Sequence, residues 1–515
     1  MNMLHARREK DRPTLDRFLK ACVPVMVSIT IGSLSGCGGG GPVAGKDPVK
    51  NVFKVEDNIG ALRAWTENKA KAAVLIHIDP ADDMAVFPAA LMDDMKNATV
   101  YLKRRNMTVF EKLAPLIERG GVVNLGYMSD MYKRVIWVVP SRGPVGETPP
   151  NIYRDFFITQ RRLPEAGVGE FKAEGNHIVG SVAGIPLTIT RLSDLSIGAD
   201  ESAVIDIDLA YFPYKRREDS SYLVGTRTLL SFLRELGDKN VRTRLVTVTY
   251  SIQSGLVPMD LRFFGDVIAE ALAKPLTLSG EMPDKWQMMI QAEDSMRAGR
   301  YGAAEALYGA ILDKEPSAGA YFSLAVARGF QDKGEECRAA LLDAYSIDSE
   351  YLRGFVQLAR VLGGAGKLVA GIEILDTREL SRIMAPIELE YQKGVFFYTA
   401  NRPFDAITHL EIAASQRPND FGLYSILFKA YRDAGDSAGQ LASLRKLVAI
   451  DDGRVKREMS WVYADLGQLY EKADSTENAV RMYEKYVQAN PQDSLATVLS
   501  KRIKTLGAKT RAPKR

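Results

Sequence analysis

From about Pro283 to Leu506 the chain repeats itself every 34 residues or so, and no other feature restricts its fold as much. A unit recurring at this length is a helical hairpin that cannot bury its apolar face alone and must stack on neighbours. The clearest unit carries Leu466, Gly467, Tyr470, Ala479, Tyr483 and Pro491. Small residues at Gly467 and Ala479 let two antiparallel helices approach, the tyrosines fill the space between them, and Pro491 ends the second helix. The same frame recovers Gly299, Tyr301, Ala304, Tyr308 and Pro316 in a first unit, and Ala325, Cys337 and Ala344 in a second. Ala359, Gly366, Gly371 and Leu375 mark a third, and Gly394, Phe397, Ala406, Ala413 and Pro418 a fourth. A fifth has Tyr424, Leu427, Tyr431, Gly435 and Leu444, followed by an insertion near Asp452 to Lys456. Six units are expected, closed by an apolar-periodic segment from Leu495 to Leu506 that fits a capping helix.

These units resemble the tetratricopeptide (TPR) family across 283–506. The resemblance implies an all-α solenoid that binds a protein partner. The first, fourth and sixth units match the pattern well, and the second, third and fifth are degenerate. Any single tyrosine of the array reads as core packing before ligand contact. Cys337 falls on a small-residue packing position and reads as a buried structural thiol.

The other end of the chain reads as an address. Arg7, Arg8, Lys10, Arg12, Arg17 and Lys20 precede an uncharged, largely apolar stretch from Ala21 to Leu34, too short for a comfortable membrane span. Leu34, Ser35, Gly36 and Cys37 follow and resemble the lipobox of bacterial lipoproteins, which implies a signal over 1–36 and lipidation of Cys37. Gly38 to Gly41, Pro42 and Gly45 then fit a flexible tether over 37–51. With Gly38 after the cysteine, the resemblance implies outer-membrane sorting, with the protein held in the cell envelope and facing the periplasm. The formal charge of +4 falls to about +1 without residues 1–20, and no nucleic-acid partner is expected; the basic tail, 507–515, reads as a solvated end. Three cysteines without paired spacing give no disulfide framework.

Between tether and array, 52–275 alternates short β-branched runs with helical stretches, which predicts a three-layer α/β domain with a mostly parallel sheet. Two runs end in carboxylates: Val74 to Asp79 leads into Pro80, Ala81, Asp82, Asp83 and Met84, and Ala203 to Asp208 leads into Leu209, Ala210 and Tyr211. Open α/β sheets place their sites at such strand ends. The pair resembles the arginase and histone deacetylase-like superfamily, with weaker matches at Ala61, Leu62, Trp65, Trp137 to Pro140 and Val246 to Pro258. The resemblance implies metal positions at Asp79, Asp83, Asp206 and Asp208. It also shows departures: Ala81 stands at the motif histidine, Asn58 at the upstream ligand histidine, and Ala210 where an acid is expected. Only four histidines exist, at 5, 77, 177 and 409, and His77 reads as a packed core residue. The expectation is a domain that kept the fold, uses no cofactor and catalyses nothing. The alternative is a hydrolase of C–N bonds whose carboxylates, with Asp82 recruited, hold Mg, Ca or Mn.

Overall fold

The computed structural model describes residues 42–84, 92–107, 121–141, 143–161, 163–212, 225–252 and 257–511. The signal, the lipobox with Cys37, and Gly38 to Gly41 lie outside the described residues. Among the described residues, no helix is long and apolar enough to cross a membrane.

The α/β domain is built on one sheet of eight strands: β1 (Val52–Val55), β2 (Val74–Ile78), β3 (Arg134–Val138), β4 (Lys172–Glu174), β5 (His177–Val182), β6 (Ile185–Thr190), β7 (Ser202–Asp208) and β8 (Arg242–Thr249). Their order is β1-β8-β7-β2-β3-β6-β5-β4. The run from β1 to β6 is parallel, and β5 and β4 extend it antiparallel. Val74 to Ile78 are all buried, as a strand covered on both faces must be. One face packs Leu75, Val135, Val204 and Leu245 under helix α1 (Asn58–Glu67), through Leu62 and Trp65. The other packs Ile76, Ile205 and Val246 under α5 (Thr226–Asp238) and α6 (Phe263–Ala273). Between these lie α2 (Met92–Lys103), α3 (Val122–Met128) and α4 (Pro150–Asp155).

The flexible tether expected over 37–51 does not include residues 42–51. Ala44 and Val49 are buried in the core, and the backbone from Pro42 to Val49 bonds to Val241, Thr243 and Leu272, so 42–51 belongs to the domain. An apolar residue every few positions was enough to dock this segment on the sheet edge in spite of its glycine.

The array is six helical hairpins: α7 (Asp284–Arg297) with α8 (Tyr301–Lys314), α9 (Ala318–Phe330) with α10 (Gly334–Ile347), α11 (Leu352–Gly364) with α12 (Leu368–Leu375), α13 (Pro386–Thr399) with α14 (Pro403–Gln416), α15 (Phe421–Asp433) with α16 (Ser437–Glu458), and α17 (Trp461–Lys472) with α18 (Thr476–Ala489). A capping helix α19 (Ser494–Arg511) closes the stack and takes in the start of the basic tail. Each hairpin turns on one left-handed residue: Gly299, Asp332, Gly366, Asn401, Gly435 and Asp474. The close approach read from the sequence is present, since a Cβ on Gly467 would stand 2.2 Å from Tyr483. The insertion at Asp452 to Lys456 is absorbed as an extra helical turn of α16 after a break at Asp451, whose side chain caps Arg454 N at 2.8 Å.

The α/β domain does not end where the array begins. One core runs from the sheet through Trp286, Phe322, Phe355 and on to Phe396, while the later hairpins have cores of their own. At the seam, Glu293 of α7 accepts from Thr226 N at 3.1 and 3.0 Å and from Thr226 Oγ1 at 2.5 Å, at the N-terminus of α5. Burial outweighs these donors and the field of Arg297, and raises the Glu293 pKa to about 7. A carboxyl raised on folding favours the fold below its unfolded pKa, and this contribution is lost as pH rises towards 7. Glu293→Gln is therefore expected to remove a loss of about 3 kcal/mol between pH 4.5 and 8. Urea denaturation of both proteins across that range checks it; parallel pH profiles would refute it.

Candidate functional site

The four aspartates expected at the strand ends share one buried pocket. Parallel pairing sets His77 of β2 beside Asp206 of β7 and Ile78 beside Ile207, which carries Asp79 to the level of Asp208. The two motifs, His77-Ile78-Asp79 and Asp206-Ile207-Asp208, are thus neighbours in register. Had β2 and β7 been paired on paper, this frame would have placed His77 in the site. His77 is not the packed core histidine expected from its place on a strand. It is 1% exposed, but its ring lies among carboxylates, because position 77 shares the α1 face of the sheet with Asp206 and Thr247.

Its Nδ1 lies 3.0 Å from Asp206 Oδ2, and Asp206 also accepts from Thr247 Oγ1. Its Nε2 has no hydrogen-bond partner, and lies 3.5 Å from Asp83 Oδ2 and 3.7 Å from Asp79 Oδ2. Asp79 Oδ1 accepts from Ala81 N at 2.6 Å, so the loop residue that lacks the motif histidine side chain still shapes the site through its backbone. Asp208 accepts from Ser251 Oγ at 2.5 Å and Ala210 N at 2.7 Å. Asn58, the first residue of α1, donates to Asp83, which confirms that α1 reaches the pocket. Asp83 and Ser251 hold left-handed backbone, with φ of 47° and 52°. Such strain in non-glycine residues persists only where the surroundings enforce it.

Asp82 is not recruited. It is fully buried and its Oδ2 is 2.6 Å from Arg161 Nη2, while Oδ1 caps Met84 N at 2.8 Å. Burial works to strip the proton from His77, yet the bond to Asp206 and the fields of Asp79 and Asp83 win, and its pKa is pushed up to about 10. Burial likewise holds Asp79 and Asp83 above the usual carboxylate range, against the field of His77. Asp208 rises to about 6 because burial outweighs its two donors. At Asp79, Asp83 and Asp208 burial is the largest cause, and at His77 the surrounding carboxylates overcome it.

A divalent ion fits the residues present. His77, Asp79 and Asp83 each offer a ligand atom within 4.8 Å of the others, and His77 Nε2 is an orphaned buried atom aimed at that point. Of the other histidines, His177 is bonded to Thr190 on the antiparallel edge and His409 to Glu390 in the array.

The array offers a second candidate surface. Thirteen positions before its turn residue the first hairpin has Trp286, the second Gly319 and the sixth Trp461. Trp286 is buried in the shared core, and a Cβ on Gly319 would stand 2.4 Å from Phe263 of α6. Trp461 is 38% exposed. Six positions before the turn, Glu293 bonds to α5 and Val326 lines a half-open cavity of about 240 Å³ with Pro258 and Asp260, whereas Lys429 and Gln468 are exposed. In the third hairpin, Gln357 Oε1 accepts from Met259 N at 2.8 Å, and Gly354 makes room for the Met259 side chain. At these two positions the α/β domain meets hairpins one and two, whereas hairpins five and six keep Lys429, Gln468 and one side of Trp461 exposed; hairpin three meets the domain from other positions, Gly354 and Gln357.

No family model matches the chain, and no curated protein matches it. Among solved structures it is similar to the C-terminal part of a TPR repeat-containing protein from Cytophaga hutchinsonii, at 11% identity over 43% of this chain and 90% of that one, with a TM-score of 0.30. It is also similar to PilW, a type IV pilus biogenesis factor, at 14% identity over 42% and 97% of the two chains, with a TM-score of 0.25. YrrB, described as a TPR protein with an unusual peptide-binding site, matches at 16% identity over 42% and 92%, with a TM-score of 0.21.

Proposed function

We propose that this chain is a protein-binding scaffold of the bacterial envelope, anchored through Cys37 in the outer membrane and facing the periplasm, with an α/β domain that is not catalytic. The observation that carries the reading is the unequal use of the array. Its first three hairpins contact the chain's own domain, and at the positions where the first two do so the last two present Lys429, Gln468 and one side of Trp461 to solvent. Exposed tryptophan beside polar residues is the composition of interface anchors. A fixed base and a free distal face together make a rigid arm on which a partner docks. The non-catalytic part of the reading is supported by Ala81 and Ala210 at motif positions and by the absence of a second histidine from the cluster among the described residues. A metal-dependent hydrolase of C–N bonds would want such a histidine to carry the proton.

Removing the whole array would strip the α/β domain of part of its core, so substitution on the distal face is the sharper test. Trp461→Ala combined with Lys429→Glu is expected to weaken capture of the partner from detergent-solubilised membranes by at least tenfold, with thermal stability within a few degrees of the parent. Unchanged capture would end the proposal for this face. A C37S protein that still sediments with membranes would end the anchor.

A further inference from the structure

The geometry points to a mixed nitrogen and oxygen site for one divalent transition ion, Zn(II) or Mn(II), in which His77 Nε2, Asp79 and Asp83 are the ligands and Asp206 orients the histidine. It does not depend on the scaffold reading, and it departs from the four-aspartate set that the sequence resemblance implies. The nitrogen comes from the strand at position 77 and not from the loop at position 81, and Asp206 moves from ligand to support.

Distance and direction carry the argument. With Nδ1 held 3.0 Å from Asp206, the ring turns Nε2 towards Asp79 and Asp83. The separations there, 3.5 and 3.7 Å, are at or beyond the limit of a useful hydrogen bond. They are near the separations of ligands around an ion: donors about 2.0 to 2.2 Å from a tetrahedral centre stand roughly 3.3 to 3.6 Å apart, which the Asp83 pair meets and the Asp79 pair slightly exceeds. The buried ring nitrogen makes no hydrogen bond and faces two carboxylates at ion-pair distance, so one ion between them would join all three.

The supports match the ligands. Asp206 is itself fixed by Thr247, giving the carboxylate, histidine and metal chain that sets ring orientation in metal sites. Asp83 is swung over His77 by its left-handed backbone and held there by Asn58. Asp79 is pinned at its free oxygen by Ala81 N, and its carbonyl accepts from Trp137 Nε1 at 2.8 Å. An imidazole ligand shifts the preference from Mg and Ca, which take oxygen, towards Zn, while the two carboxylates also suit Mn.

The test uses full-length protein, stripped with a chelator and dialysed against Zn(II) or Mn(II) alone. One equivalent is expected to be retained by elemental analysis, with a rise in unfolding temperature. His77→Gln should lower affinity at least 100-fold, and Asp206→Asn 10- to 100-fold. In ¹⁵N-histidine-labelled parent protein, the Nε2 resonance of His77 should shift on adding metal while His177 and His409 stay in place. That measurement needs no variant to fold. No retained metal, or a His77→Gln protein that binds as tightly as the parent, would overturn the assignment, as would a shift at another histidine only.

Discussion

Replacing Arg262 with Met is expected to cost about 3 kcal/mol of stability, because one guanidinium ties the sheet to the array. Arg262 is 5% exposed. It donates to both oxygens of Glu56, which follows β1, at 2.9 and 2.6 Å, and to Asp348, between α10 and α11, at 2.8 Å. Its plane lies 4.1 Å from the ring of Tyr250, one residue before the Ser251 that holds Asp208. Removing one partner of a buried ion pair typically costs 3 to 5 kcal/mol; Glu56 and Asp348 keep some access to water, which places this case at the low end. Urea denaturation followed by circular dichroism would measure the loss. A change under 1 kcal/mol would mean that the shared apolar core alone holds the seam.

Gly467→Val should act on the other half of the molecule. A Cβ there would stand 2.2 Å from Tyr483 Cε1, and Tyr483 is buried between α17 and α18 with its hydroxyl 3.1 Å from Glu471. Overpacking of this kind costs about 1 to 3 kcal/mol, and the β-branch adds to it within a helix. The distal core containing Leu444, Val462, Leu466 and Tyr483 is separate from the one that reaches the sheet. The loss should therefore be local. Limited proteolysis is expected to cut within 421–506 at least tenfold faster than in the parent, with the fragment below it intact. Trp461 fluorescence should change while Trp65, Trp137 and Trp286, which lie in the proximal cores, keep their environment. Simultaneous loss of both halves would show that the stack unfolds as one unit.

These two expectations rest on features of different legibility. Gly467 could be read from spacing alone, since a small residue opposite a tyrosine at a fixed interval in a helical hairpin has one packing solution. Arg262 could not. Glu56 and Asp348 are distant in sequence and meet it only because the third hairpin packs on the segment around Met259. The candidate site divides the same way. Asp79 and Asp208 could be placed at strand ends from the runs that precede them, and the register of β2 against β7 was needed to set His77 against Asp206. Asp82 was open to recruitment on sequence grounds because its neighbour Asp83 is in the pocket; a separate helical segment brings Arg161 to claim it.

The sequence by itself determined the local units: six hairpins and their cap, and a mostly parallel sheet whose carboxylates gather at strand ends. Periodicity sets these, because apolar residues at helical or strand spacing fix which face of an element must be buried. What buries that face is decided only when elements meet. Tertiary packing folded Pro42 to Asn51 into the domain, joined the first three hairpins to it, left one side of Trp461 exposed at the register where Trp286 is enclosed, and turned a strand histidine into the centre of a carboxylate pocket. Burial is a property of pairs of surfaces, and a sequence pattern specifies only one member of each pair.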